Sequence, residues 1–320
     1  MRSEAEVFAD LGELCRSEGY VHTLAFLCFQ NNIVRYSGTL KADDLLPLFS
    51  FERLIRTEIV TLVGLMVQGD IAGTIPSPSV LGEQVSRTHL LLKELQETFL
   101  VGMPDALVGQ AEHKMPDLKY LQSGEFLREP IFYGGESAYS FQYRDLARRK
   151  YAADDPWLKE KKGFTIDDAS KVVESITRFL EHNLRVVLGG LASLPPEEWS
   201  LLPAFAFTVD SITKESGLYE ETVVAVLEAF ALPPNEKNAG FRVLDDFNVA
   251  NATPLLKADG QFYLFHSYSL AEAIYDSPFF WMAADSAYFS VAATNRGLYA
   301  EEFCTQRLEL VLARSVSLPT

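Results

Sequence analysis

Cysteine is scarce in this chain, with only Cys15, Cys28 and Cys304 in 320 residues. Thiols so far apart give neither a disulfide framework nor a metal-ligand spacing, and a reducing, cytoplasmic setting is expected. Histidine is scarce too. His22, His89, His113, His182 and His266 are scattered, none within HExxH and none near a cysteine at metal-binding distance. Basic residues are outnumbered, 28 against 44 acidic, for a formal charge of −16. A field of that sign repels phosphate backbones unless the cations gather on one surface. Long apolar runs are missing. The best, IVTLVGLMV at 59–67, stops at Gln68-Gly69-Asp70, well short of the roughly 18 residues a membrane span needs. The N-terminus carries acids where a secretory signal needs bases and then an apolar stretch. GKS/T, GxSxG and GxGxxG are absent, which moves common nucleotide and hydrolase mechanisms out of the front rank.

The chain does have apolar residues at helical spacing, and 48% of it is hydrophobic, enough for a globular core. Residues 4–19, 51–68 and 77–100 read as amphipathic helices. Residues 20–29 read as a helix or a strand. Residues 102–160 hold prolines, Gly134-Gly135 and mixed charges, the pattern of an irregular connector with short helices. The expected division is an N-terminal helical domain at 1–160 and a C-terminal helical domain at 161–320. In the second, Thr165 and Asp168 frame a capping box for a helix that Gly189-Gly190 would end. A short helix is expected in PPEEWSLLPAFAF. TPLLKADGQFYLF at 253–265 reads as a β-hairpin around Asp-Gly, and 269–288 as another helix. The fold class is therefore mainly α.

Residues 209–230 resemble a helix-turn-helix, with Ile212, Val223 and Leu227 on apolar positions and Gly217 at the turn. The hairpin at 253–265 would serve as its wing. A DNA-reading helix presents Arg, Lys, Asn or Gln, whereas this pair carries Asp210, Glu215, Glu220, Glu221 and Glu228 against Lys214 alone. A structural helical pair is the favoured reading, and an acidic DNA-binding regulator the alternative. The one local positive field is Arg144, Arg148, Arg149, Lys150, Lys159, Lys161 and Lys162, interleaved with aromatic residues. It is the candidate nucleic-acid contact, diluted by Asp145, Asp154, Asp155 and Glu160. Asp245 and Asp246, beside Asn248 and Asn251, are candidate metal ligands, though Asp and Asn equally build turns. Arg178 and His182 share a helix face and come one residue short of the Arg-x4-6-His spacing of some helical ribonucleases. They would be the catalytic pair of an enzymatic alternative. PDLK at 116–119 and DDPWLKEKK at 154–162 imitate the acids and lysine of a nuclease metal site, without strand-like flanks.

Residues 297–312, GLYAEEFCTQRLELVL, place a glycine, then Glu301-Glu302, then Phe303, Leu308, Val311 and Leu312 along an amphipathic helix. This resembles the first helix of PD-(D/E)XK, restriction-endonuclease-like nucleases. The segment ahead of it looks like the region preceding the nuclease domain in some bacterial proteins. The resemblance implies that Glu301 or Glu302 matches the glutamate this helix gives to a divalent-metal site. After Leu312 only ARSVSLPT follows, enough for one short strand at about 3.3 Å per residue. The strands carrying the remaining ligands are thus expected to be missing, and no cofactor is expected for this chain alone. Together these readings point to a non-catalytic helical recognition or regulatory module of a bacterial nuclease-like, defence-related protein. It is expected to bind a protein partner or a second copy of itself, without a membrane.

Overall fold

The computed structural model describes residues 2–32, 53–99, 138–233 and 237–315. The expected connector lies outside the described residues up to position 137, together with His113 and the PDLK stretch. The described chain is mainly α-helical with one small antiparallel sheet. Its contacts divide it into two compact units, each assembled from three separate segments. The first takes residues 1–137, 180–207 and 232–266, and the second 138–179, 208–231 and 267–320. Residue 160 falls inside the second.

In the first unit, α1 (Glu4–Cys15) begins at a capping box in which Ser3 and Glu6 each satisfy the other's backbone N–H. It buries Val7, Phe8 and Leu11 against α2 (Tyr20–Asn32), α3 (Arg56–Met66) and α4 (Pro78–Phe99), whose own core residues include Leu24, Leu62, Leu65 and Leu95. The segment that reads as helix or strand is helix throughout. The helix expected from residue 51 starts only at Arg56, where the Glu58 carboxylate accepts the Ile55 N–H. Polar groups inside the bundle are paired. Gln84 of α4 accepts from the Thr23 hydroxyl at 2.6 Å and donates to Ser17 Oγ and the Glu18 carbonyl. Gly64 permits a close approach on α3: a Cβ there would stand 2.3 Å from Asn248 Oδ1. Asn248 donates to the Val60 carbonyl, accepts from Asn238 and caps α10 (Val249–Ala252).

The sheet of this unit holds β1 (Ala206–Phe207), β2 (Leu256–Ala258) and β3 (Gln261–Tyr263), all antiparallel, with β3 in the centre. The hairpin turn is the expected Asp-Gly pair, and both Asp259 (φ 50°) and Gly260 (φ 75°) adopt the left-handed backbone that a tight primed turn requires. Strand β1 was not expected. The sequence around it reads as a short helix, but that stretch is two 3-10 turns, Pro196–Glu198 and Leu202–Phe205. The chain then straightens and pairs with β3, where Phe207 stacks on Phe262 at 5.9 Å. One helix through both turns would put Pro203 in its interior, where it has no N–H to donate and its ring meets the preceding turn, and the aromatic pair favours the strand.

The second unit contains α5 (Ser140–Tyr151), α6 (Asp155–Lys162), the first part of α7 (Ile166–Leu191), α8 (Val209–Ser216), α9 (Glu220–Ala229), α11 (Ser267–Ala284) and α12 (Phe289–Ser315). The capping box of α7 forms with aspartate as expected. Asp168 accepts the Thr165 N–H at 2.9 Å, and the Thr165 hydroxyl accepts the Asp168 N–H at 3.2 Å. The helix does not stop at Gly189-Gly190, which are exposed with nothing within 4 Å. Glycine permits a break without imposing one, and α7 continues to Leu191 before a 3-10 turn precedes Pro195. Helices α8 and α9 form the expected pair about Gly217, whose φ of 68° ends α8 and whose flanks bury Ile212, Val223, Val226 and Leu227. The terminal helix differs from expectation. It starts at Phe289, with the Asp285 carbonyl accepting the Phe289 N–H, so that Gly297 lies inside the helix and opens nothing.

Candidate functional site

The candidate residues named from the sequence are dispersed over the fold. Arg178 lies in the second unit and is answered by Glu174 and Glu215, while His182, four residues on along α7, is exposed and falls in the first unit. Asp246 closes a turn by accepting the N–H groups of Arg242 and Val243, and Asp245 stands exposed next to it. Among the described residues, no group of three or more His, Cys, Asp or Glu side chains is placed to hold a metal ion. The exposed edge of α9 presents Glu220, Glu221, Val224 and Glu228.

The basic residues of α5 and α6 are mostly engaged within their own unit. Arg148 bonds Asp145 and Asp167; Arg149 bonds Gln306 at 2.6 Å and lies 3.7 Å from Glu302. Lys161 pairs with Glu160, and Lys162 sits over the Trp281 ring. Lys150 points inward. Its ammonium donates to the Tyr275 carbonyl at 2.8 Å and lies 3.7 Å from the centre of the Tyr275 ring. Burial pushes it down to about 8; Asp276 opposes that shift and Arg296 adds to it.

Next to Lys150, a buried polar cluster anchors α12. Asp154, between α5 and α6, accepts from Tyr288 at 3.0 Å, Asn295 at 2.6 Å and Arg296 at 2.6 Å. The Arg296 guanidinium lies 4.2 Å over the Tyr151 ring, and burial followed by the Asp154 carboxylate pushes the Tyr288 hydroxyl up to about 12. These contacts set the rotation of α12. They turn Ala292, Asn295, Arg296, Tyr299 and Phe303 toward the unit, where Phe303 packs under the guanidiniums of Arg149 and Arg307.

The opposite side of α12 is exposed and carries apolar residues around Glu301. Leu298 (61% exposed), Leu308 (59%) and Val311 (67%) stand ten and three residues apart, with Cys304 and Thr305 between them at three-, four- and seven-residue steps from one or another. Glu301 and Glu302 stand beside this stripe, Glu302 accepting from Gln306. In the sequence, Phe303 and Leu308 read as members of one buried face. The structure separates them: Phe303 is half-buried, and from Cys304 to Leu312 every side chain of α12 is exposed. No protein-family model, curated protein or solved structure matches this chain.

Proposed function

We propose that this protein is a helical recognition module that works as a pair, with the outer face of α12 docking against the same face of a second copy. The observation behind this reading is the exposed stripe Leu298, Leu308 and Val311. Single exposed leucines are ordinary on a protein surface, but a row at helical spacing marks a docking face. The pattern is self-complementary. In an antiparallel pair centred between Cys304 and Thr305, Leu298 meets Val311 of the other copy, Leu308 lies against the methylenes of Glu301, and Glu302 meets Arg307. A two-fold contact requires that each patch be its own partner in this way. Charge permits it as well: the chain carries −16, whereas α12 balances Arg296, Arg307 and Arg314 against Glu301, Glu302 and Glu309. Burying three side chains from each copy contributes about 9–18 kcal/mol, at roughly 1.5–3 kcal/mol apiece, and association costs offset a large part of it. The pairing is therefore weak and concentration-dependent.

Sedimentation equilibrium tests it. The wild type should form a dimer in the micromolar range, Leu308→Asp should be monomeric, and mild oxidation should join two copies through Cys304, which lies close to the dyad. A wild type that stays monomeric up to about 100 μM overturns the reading. Membership in a nuclease-like protein remains part of this proposal. It rests on residues 297–312 alone and gives Glu301 and Glu302 a metal-site role only alongside strands supplied elsewhere.

A further inference from the structure

In the first unit, His22 of α2 meets Ser200. Its Nδ1 lies 2.6 Å from Ser200 Oγ, and its Nε2 lies 2.9 Å from the Gly73 carbonyl oxygen. The carbonyl settles the tautomer. It can only accept, so Nε2 carries the hydrogen and Nδ1 presents a lone pair to the serine hydroxyl. The hydroxyl thus donates to the imidazole, while the Leu202 N–H, 3.0 Å away, donates to the same oxygen. A weak nucleophile is activated by a base within hydrogen-bond reach and a third group that holds the base in one tautomer, while the Leu202 N–H fixes where the serine oxygen sits.

Burial separates the two partners in a useful way. The His22 ring is buried, and that burial lowers its proton affinity, so it is neutral and able to accept at neutral pH. Ser200 is only half-buried, in the bend between the two 3-10 turns, and its neighbour Trp199 leaves about half of its surface exposed (48%). The Trp199 indole is itself held by a bond to the Leu194 carbonyl, and Leu194 is likewise exposed. An apolar surface thus flanks the hydroxyl. The chain has no GxSxG elbow, and this pair needs none, because the Ser–His relation is defined by geometry and roles and not by sequence position.

We propose that Ser200 is an acyl-accepting nucleophile with His22 as its general base, acting on carboxylic esters with a small apolar or aromatic acyl group. Ser200 Oγ adds to the ester carbonyl carbon as its proton passes to His22 Nδ1, and the carbonyl electron pair moves onto oxygen. The intermediate collapses, the C–O bond to the leaving alcohol breaks, and that alcohol takes the proton from Nδ1. Water then adds to the Ser200 ester with His22 again as base, releasing the carboxylic acid and restoring the hydroxyl.

The test is to incubate the full chain with a fluorophosphonate and with p-nitrophenyl acetate. One phosphonyl adduct on Ser200, located by peptide mass spectrometry, is expected, with ester turnover falling on the order of 10²-fold in Ser200→Ala and in His22→Gln. Ser200→Cys, which keeps the geometry with a different nucleophile, should exchange fluorophosphonate labelling for labelling by iodoacetamide at the same position. Folded wild type that carries no adduct on Ser200 overturns the proposal, whatever the variants do. So does an adduct that forms equally fast in a folded His22→Gln.

Discussion

Asp154 and Arg296 form an ion pair at 2.6 Å in which the carboxylate is wholly buried and the guanidinium is 15% exposed. A charge taken this far out of water is tolerable only when its lone pairs are met, and Tyr288 and Asn295 meet the rest of Asp154. Removing one partner leaves the other buried and uncompensated. Asp154→Ala should lower the unfolding free energy by about 3–5 kcal/mol, read from urea unfolding at neutral pH. Because Arg296 belongs to α12, the same variant should also weaken the proposed pairing more than its stability loss explains.

Gly64 and Asn248 offer a second test, this one of packing. With Asn248 Oδ1 2.3 Å from the site of a Cβ, Gly64→Ala must displace an amide that bridges the Val60 carbonyl and Asn238. The expected loss is about 2–4 kcal/mol by chemical denaturation. Gly82→Ala on α4, where nothing lies within 4 Å, should instead be stabilising by up to about 1 kcal/mol.

Acid should destabilise the fold through its histidines. Burial lowers His22, and burial with Arg56 lowers His266 to about 4. The unfolded chain binds these protons near 6.5 while the folded chain does not. This stability is therefore present above about pH 6.5 and is lost as the pH falls toward 4, the folded value for His266. Unfolding midpoints measured across that window should fall, and His266→Gln should flatten the slope.

The thiols should sort by exposure. Cys304 is exposed, whereas Cys15 and Cys28 are buried, and burial pushes both thiols up, Cys15 to about 12. A disulfide exchange reagent should modify Cys304 quickly in the native protein and the other two only in denaturant. Rapid native reaction at Cys28 would contradict the packing of α2.

Much of the helical fold was legible because periodicity and caps are local. Thr165 with Asp168, the Asp259-Gly260 turn and Gly217 each act within a few residues, and each forms as the sequence suggests. Helix ends were less legible. Gly189 and Gly190 look like a stop and Gly297 like an opening, yet with open space around them nothing forces the backbone out of helix. The candidate sites were harder still. His22 and Ser200 are 178 positions apart, and neither belongs to a motif, so only the folded chain brings them together.

Each compact unit is stitched from three stretches of chain, and the first is closed only by residues up to 266. On the ribosome, neither unit can finish until most of the protein has emerged, so early helices wait with their apolar faces uncovered. A cut near residue 160 would not free two halves that fold. It would leave two sets of helices, each lacking the strands or helices that complete it.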